Sequence, residues 1–403
     1  MNLGLVILFV GQYRKMREKC LKTVAIYLSS EPHQGGEHQY LMLLAESLMK
    51  CDGKHFKVIA ICCNRFWKQW CIEQNIQYFL IKKFTYTETE MELHTKYPYL
   101  FLYSNMKNDA IGKIIYQNKV SLLICGQQGI FLPKYLCRVI RPVHDLMHRY
   151  EPRFKEISSS YATRENVFKG AVRISDIVLV DSQLGKEQLK ECYYNKKHFP
   201  KIEILPFVAP RHINKEMEEY IETPEKYIFY PAQFWEHKNH VNLIKALMYA
   251  KRKENKICLV LVGAEKNALK RIREMIQEND LQENVFILGF VSNEQITYLY
   301  KHAVALVMPS YFGPTNIPPL EAMTLGCPAI VSNKYAMGEQ VGDAGLLFNP
   351  DSPEEIAECI LKVWNNLELR RELINRGYQR ISKWTEEDFK RRFLQIVFNN
   401  LKW

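Results

Sequence analysis

The sequence predicts an α/β protein made of two doubly wound domains. Three observations carry this. Short β-branched, apolar runs recur without the polar alternation of a half-exposed strand, so they read as strands of parallel sheets covered on both faces. Helical periodicity fills the intervals, giving strand–helix–strand order twice over. The length, 403 residues, suits two or three domains with large apolar cores.

In the first half, strands are expected at residues 23–28, 57–62, 121–125, 139–143, 177–180 and 202–205. In the second half they are expected at 227–230, 257–262, 285–288, 305–308, 329–331 and 345–348. Helical spacing is read over 39–49, 241–249, 268–277, 295–300 and 354–364. Around 208–225, Pro210, Pro224 and an acidic patch break the pattern, so the domains are expected to be 1–209 and 210–384. Residues 385–403 end the chain with an amphipathic helix, and no repeat of fixed period is seen. Residues 1–21 read as a leader or appendage: the apolar run 3–10 is far shorter than the about 20 residues that span a bilayer. Arg14, Lys15, Arg17 and Lys19 follow that run, whereas a secretory signal places its basic residues first.

Composition narrows the class. Hydrophobic residues are 47% and charged residues 25%, which excludes disorder, and 18 Gly with 17 Pro exclude a collagen-like chain. The 11 cysteines are scattered with no Cys-x-x-Cys pair, which argues against a zinc ribbon or a thioredoxin-like site. Cys125 and Cys258 lie in apolar runs, as reduced thiols do, so the compartment is read as reducing cytosol. Lys plus Arg is 55 and Asp plus Glu 44, a net charge of +11. Residues 1–210 hold 30 basic and 19 acidic side chains and residues 211–403 hold 25 of each, so the excess lies wholly in the first half.

Ligands of open α/β sheets bind beyond the carboxyl ends of the strands, so the loops there are the place to search. No Gly-x-Gly-x-x-Gly follows a strand, no Walker A run exists and no Asp-x-Asp occurs. These absences argue against a dinucleotide oxidoreductase, a P-loop nucleotidase and an aspartate-bridged metal diphosphate site. In the second half, Lys238 stands just ahead of a helix, where its charge would add to the helix's positive end and hold a phosphate. An ordinary surface lysine beside a capping Asn239 is the other reading. The loop 308–323 is crowded with Gly, Pro, Thr and Asn, and Pro318-Pro319 suit the first turn of a helix. Free backbone N–H groups around Thr315, Asn316 and Ile317 would then be available to an anion. Glu321, in that first turn, suits a ribose diol, or merely complements the helix dipole. In the first half, Gly35 and Gly36 open a helix and allow close backbone approach to a ligand, or simply a tight turn. His144 beside Asp145 at a strand end suits a contact to a sugar hydroxyl or leaving group. The His144-x-x-x-His148 spacing also fits metal ligation, but no Glu follows the first His, and no metal site is expected.

As an ordered set, residues 233–239, 288–291, 309–326 and 342–348, with 144–148 and 176–182 in the first half, resemble the family-four retaining glycosyltransferases (glycosyl transferases group 1). The resemblance runs from about Lys22 to Trp384 and beyond. It implies the GT-B fold: two Rossmann-like domains facing across a cleft, the first binding the acceptor and the second the nucleotide-sugar, with the last helix crossing back to the first. By motif match, Lys238 would contact the diphosphate, Glu321 the ribose, and His144 the donor sugar. Gly35 and Gly36 would approach the phosphates or reacting sugar, and the loop at Phe290 would hold the base. Two positions depart from the pattern. Gly313 stands where a Glu is usual, eight residues before Glu321, and Gln233 stands where an Arg is usual, five before Lys238. Backbone N–H groups with the Thr315 or Asn316 side chain are expected to replace the lost contacts.

The resemblance implies a metal-independent hexosyltransferase acting with retention on a glycan or lipid-linked acceptor, in polysaccharide or lipopolysaccharide synthesis. No cofactor is expected, since the nucleotide-sugar is a substrate. The expected site is cytoplasmic, on the inner face of the cytoplasmic membrane, with the basic first domain touching anionic lipid. The other readings are a non-catalytic sugar-nucleotide binder, a sugar-nucleotide epimerase and a basic nucleic-acid binder. The last lacks any basic stripe with interleaved aromatics, and no nucleic-acid partner is expected.

Overall fold

A computed structural model describes residues 21–32, 35–51, 53–83, 85–210, 213 and 216–401. The leader expected over 1–21 lies outside them apart from Leu21, as does Gln34. The chain divides into two compact units. The first takes the described residues up to His148, Ser160–Pro206 and those from Glu387 onward; the second takes Arg149–Ser159 and Phe207–Glu386.

The first unit holds a parallel sheet of seven strands: β1 (Thr23–Leu28), β2 (Lys57–Cys62), β3 (Gln77–Leu80), β4 (Val120–Cys125), β5 (Arg138–Pro142), β6 (Ile177–Val180) and β7 (Lys201–Ile204). Their order is β3-β2-β1-β4-β5-β6-β7, every pair parallel. All residues of β1 and β4 are buried, which is why both read as unbroken apolar runs. β3 is absent from the sequence reading, because four half-exposed residues on an edge give little pattern. Helices Arg65–Glu73, Glu88–Lys96, Tyr161–Ile174 and Gln183–Tyr193 were likewise not read from periodicity. Three of the four start on a side-chain cap: Asn64, Thr87 with Glu90 in a capping box, and Ser182.

The last helix, Glu386–Leu401, packs within the first unit. Phe389 and Phe393 are fully buried, contributing about 1.5–3 kcal/mol each. Phe389 meets Tyr40 edge-on at 5.9 Å, Arg392 pairs with Glu203 at 2.7 Å, and Arg138 Nη1 donates to the Asn400 carbonyl at 3.2 Å.

The second unit holds a parallel sheet of six strands: β8 (Ile228–Pro231), β9 (Leu259–Val262), β10 (Val285–Ile287), β11 (Ala305–Met308), β12 (Ala329–Ser332) and β13 (Gly345–Phe348), ordered β10-β9-β8-β11-β12-β13. One apolar core runs through it, from Phe229 and Leu259 to Ile330 and Ile360. The sequence reading placed residues 149–159 and 207–209 in the first domain, and the structure corrects this. Phe154 and Ile157 share an apolar cluster with Tyr311, so the segment Arg149–Ser159 belongs to the second unit.

In each sheet the strand order reverses once: between β1 and β4 in the first, and between β8 and β11 in the second. These reversals are the topological switch points where open α/β sheets leave room for a ligand at their carboxyl ends.

Candidate active site

The loops leaving β8 and β11 flank the second sheet's switch point and carry most of the candidate residues. After β8 the chain makes a short 3-10 turn, Glu236–Lys238, then enters helix His240–Lys251. Lys238 therefore lies one residue ahead of a helix N-terminus, as expected, and its side chain is partly exposed. Tyr230, at the end of β8, donates its hydroxyl to the Lys238 carbonyl at 3.1 Å and fixes the turn from beneath. Gln233 is exposed, and its Oε1 accepts from the Trp235 indole at 2.9 Å.

Asn239 does not cap the helix with its side chain. It adopts the left-handed conformation (φ 59°), which Asn tolerates better than most residues. Its amide instead donates to the carbonyls of Pro309 (3.1 Å) and Pro350 (2.8 Å), joining the loops after β8, β11 and β13. The Tyr311 N–H donates to the His237 carbonyl at 3.0 Å, and the His237 ring stacks on Phe312 at 3.8 Å. The Lys238 turn and the start of the 309–321 loop are thus one hydrogen-bonded body.

Glu321 sits in the first turn of helix Pro318–Leu325, which opens on two prolines as expected. It is 9% exposed, and the Tyr300 hydroxyl donates to its Oε2 at 2.7 Å. Burial pushes the Glu321 carboxyl up to about 7, against the opposing pull of the Tyr300 hydrogen bond. The group is poised between its protonated and ionised forms at neutral pH, and ligand hydroxyls would favour the ionised one.

The middle of this loop differs from expectation. The Asn316 N–H is not free: it donates to Gln340 Oε1 at 2.9 Å. Gln340 Nε2 in turn donates to the Asn316 carbonyl at 2.6 Å, and the Asn316 amide donates to the Phe312 carbonyl at 2.8 Å. Asn316 closes the loop on itself and on residue 340, so neither its N–H nor its side-chain donor is left to replace a missing acid. Thr315 and Ile317 lie on either side of it in the same loop. Gly313 has φ 80°, and a Cβ there would stand 2.6 Å from the Thr315 carbonyl oxygen. The backbone of this loop is built for glycine at that position. Phe290 follows Gly289 just beyond β10 and is 93% exposed.

In the first unit, Gly35, Gly36 and His144 collect beyond the carboxyl ends of β1 and β5. Gly35 opens helix Gly36–Met49 at φ 59°, with open space where a side chain would be. The His144 N–H donates to Gln128 Oε1 at 2.7 Å, and Gln128 Nε2 donates to Asp145 Oδ2 at 2.8 Å. The Tyr40 ring meets the imidazole edge-on at 4.6 Å. Burial pushes His144 down to about 4, Asp145 opposing, so the ring is neutral at pH 7. Beside it, burial raises the Glu37 carboxyl while a Gln127 hydrogen bond lowers it. His148 points elsewhere: its Nε2 is 3.0 Å from Glu165 Oε2 and 3.1 Å from the Tyr193 hydroxyl. Among the described residues no group of three His, Cys, Asp or Glu side chains is arranged to hold a metal ion.

Sequence reasoning missed Asn239 as a tether, Gln340, Tyr300, Gln127 and Gln128. Each acts through contacts distant in sequence, for which a single chain carries no local signal.

Residues 213–380 match the model of the family described as glycosyl transferases group 1. The matched stretch lies within the second unit. The O-antigen chain mannosyltransferase B of Escherichia coli is 35% identical over 89 residues, 22% of this chain and 23% of that protein. The O-antigen chain mannosyltransferase RfbU of Salmonella typhimurium is 28% identical over 180 residues, 44% of this chain and 48% of that protein. The chain thus spans about a quarter to about half the length of these curated relatives. Among solved structures, Anabaena HepE in complex with UDP-glucose superposes with a TM-score of 0.66 over 94% of this chain and 100% of that one, at 14% identity. At that identity the likeness shows the fold: two parallel-sheet, Rossmann-like domains of the GT-B class. The matched stretch contains Lys238, Gly313 and Glu321, together with the loops that hold them.

Proposed function

We propose that this protein is a retaining glycosyltransferase. It moves a hexose from a nucleotide diphosphate to a hydroxyl of a glycan or lipid-linked acceptor, in polysaccharide or lipopolysaccharide synthesis. The observation that carries the proposal is the pair of helix starts at the second sheet's switch point, Lys238 ahead of one and Glu321 inside the other. The group 1 match and the O-antigen mannosyltransferase relatives support the reaction class and a hexose donor.

In this reaction the bond from the anomeric carbon to the diphosphate breaks, and one to the acceptor oxygen forms on the same face. Negative charge grows on the departing diphosphate, where Lys238 and the N-terminus of His240–Lys251 stabilise it. The diphosphate takes the acceptor proton. Ionised Glu321 accepts the ribose hydroxyls. Neutral His144 acts as a hydrogen-bonding group toward the donor sugar rather than as a cation. No metal or cofactor takes part. Calorimetric titration with a panel of UDP-, GDP-, ADP- and TDP-sugars in the presence of a chelator tests this. One base class should bind with a Kd of about 1 µM to 1 mM. No binding by any of them would overturn the proposal, and conversion of the donor without an acceptor would make the protein an epimerase.

Contact of the first unit with anionic lipid, on the inner face of the cytoplasmic membrane, is part of the proposal. Tyr97, Tyr99, Leu100 and Tyr194 are exposed, and Lys96, Lys169 and Arg173 line, with Tyr194, a cavity of about 530 Å³. Aromatic side chains among cations suit a headgroup layer. Among the described residues no helix is long and apolar enough to cross a membrane. The protein should sediment with phosphatidylglycerol vesicles at low salt and be released by salt, and equal partition onto phosphatidylcholine vesicles would remove the lipid contact.

A further inference from the structure

The segment Arg149–Ser159 leaves the first unit after His148 and rejoins it at Ser160, yet it packs with the second. What it touches there are the loops at the carboxyl ends of the second sheet. Glu151 Oε1 accepts from the Tyr335 hydroxyl at 2.8 Å, beyond β12. Phe154 packs against Tyr311 and Phe312, beyond β11. Glu156 reaches the loop after β8, where its Oε1 accepts from the His237 N–H at 3.2 Å and faces His237 Nδ1 at 2.8 Å. Its Oε2 accepts from Asn267 Nδ2 at 2.9 Å, and Asn267 Oδ1 accepts from the Glu236 N–H at 3.2 Å. The side chains of Glu156 and His237 are 8% and 9% exposed.

The contacts made by Glu156 and Asn267 converge on one object. The turn Glu236–Lys238 has only three residues, and two of its backbone N–H groups and one of its rings are held by Glu156 and Asn267. We propose that Glu156 is a positioning residue for the diphosphate of the donor: from a segment distant in sequence it clamps the turn whose last residue is Lys238. This rests on the glycosyltransferase reading above. The clamp sets the direction in which the ammonium group leaves the turn, so it acts on phosphate binding through Lys238 and touches no substrate itself.

The polarity of the hydrogen bonds supplies the test. In Glu156→Gln, Oε1 still accepts from His237, but the new amide meets the donating amide of Asn267. If Asn267 turns over to accept, it loses its bond from the Glu236 N–H. In the double variant Glu156→Gln/Asn267→Asp, the Gln amide donates to one Asp oxygen while the other accepts from Glu236, and the net charge is unchanged. Binding of UDP, UMP and uridine is measured by calorimetry on the full chain, or of the corresponding guanosine or adenosine series if the wild type prefers it. Melting temperature is followed alongside.

Glu156→Gln should weaken the nucleoside diphosphate about fivefold. It should leave the nucleoside unchanged, so that discrimination of diphosphate over monophosphate shrinks. The double variant should restore the wild-type discrimination. Glu151→Gln loosens the same segment at Tyr335, away from the turn, and should lower the melting temperature without changing that discrimination. Wild-type discrimination in Glu156→Gln, a double variant that folds but fails to recover, or an equal loss in Glu151→Gln would each overturn the positioning role and leave the glycosyltransferase reading standing. A wild-type protein that binds no nucleoside diphosphate would overturn that reading and the positioning role with it.

Discussion

Burial of Glu321 against Tyr300 makes its protonation part of ligand binding. Its carboxyl stands at about 7 in the folded protein, above its ordinary value of 4.5. Between those limits the folded state holds more protons than the unfolded one, so the stability this group contributes is present at acid pH and lost as pH rises through about 7. Ligand hydroxyls bind the ionised form and release that proton. Affinity for the nucleoside diphosphate should therefore rise between about pH 6 and about pH 8, by up to about tenfold per pH unit below the pKa. Glu321→Gln should flatten this part of the profile and leave only the titration of the phosphate itself. The same slope in both proteins, measured by calorimetry, would exclude Glu321 as the group that titrates. Legibility at this scale was uneven. Lys238, Glu321 and His144 announced themselves by their place beside a helix start or strand end. Tyr300 and Gln340, which set the state of Glu321 and the shape of its loop, lie on other elements and gave no sign in the sequence.

Among the elements, the loop after β11 holds the main departure from the family pattern. Its backbone turns through Gly313 at φ 80°, and Asn316 locks the turn to Phe312 and Gln340. A glutamate restored at 313 would place its Cβ 2.6 Å from the Thr315 carbonyl oxygen. Gly313→Glu should cost about 1–3 kcal/mol. It should lower the melting temperature by several degrees and leave donor affinity no better than wild type, as calorimetry and thermal unfolding would show. Tighter donor binding at unchanged stability would mean that the loop can adopt the usual arrangement. Strand positions were legible throughout the second sheet, because its strands are apolar runs and the inner ones are buried on both faces. The edge strand β3 was not, and the segment Arg149–Ser159 was assigned to the wrong unit. Its two anchors, Phe154 and Glu156, find their partners some 80 to 160 positions along the chain, and pattern along a sequence does not report such pairings.

For the molecule as a whole, the charge excess lies in residues 1–210 and the second half is neutral. A diphosphate needs only local positive charge, which Lys238 and a helix N-terminus supply, so the donor does not account for the excess. The central claim is that one sheet's switch point, with Lys238 and Glu321 at its two helix starts, binds and activates a nucleotide-sugar. Its most direct measurement is the rate of sugar transfer from the preferred nucleotide-sugar to a lipid-linked acceptor, in the wild type and in Lys238→Ala and Glu321→Ala. Each substitution should lower transfer about tenfold or more; Lys238→Ala should leave the melting temperature nearly unchanged, whereas Glu321→Ala strands the buried Tyr300 hydroxyl and should lower it by a few degrees. Near-wild-type transfer in both variants would contradict it.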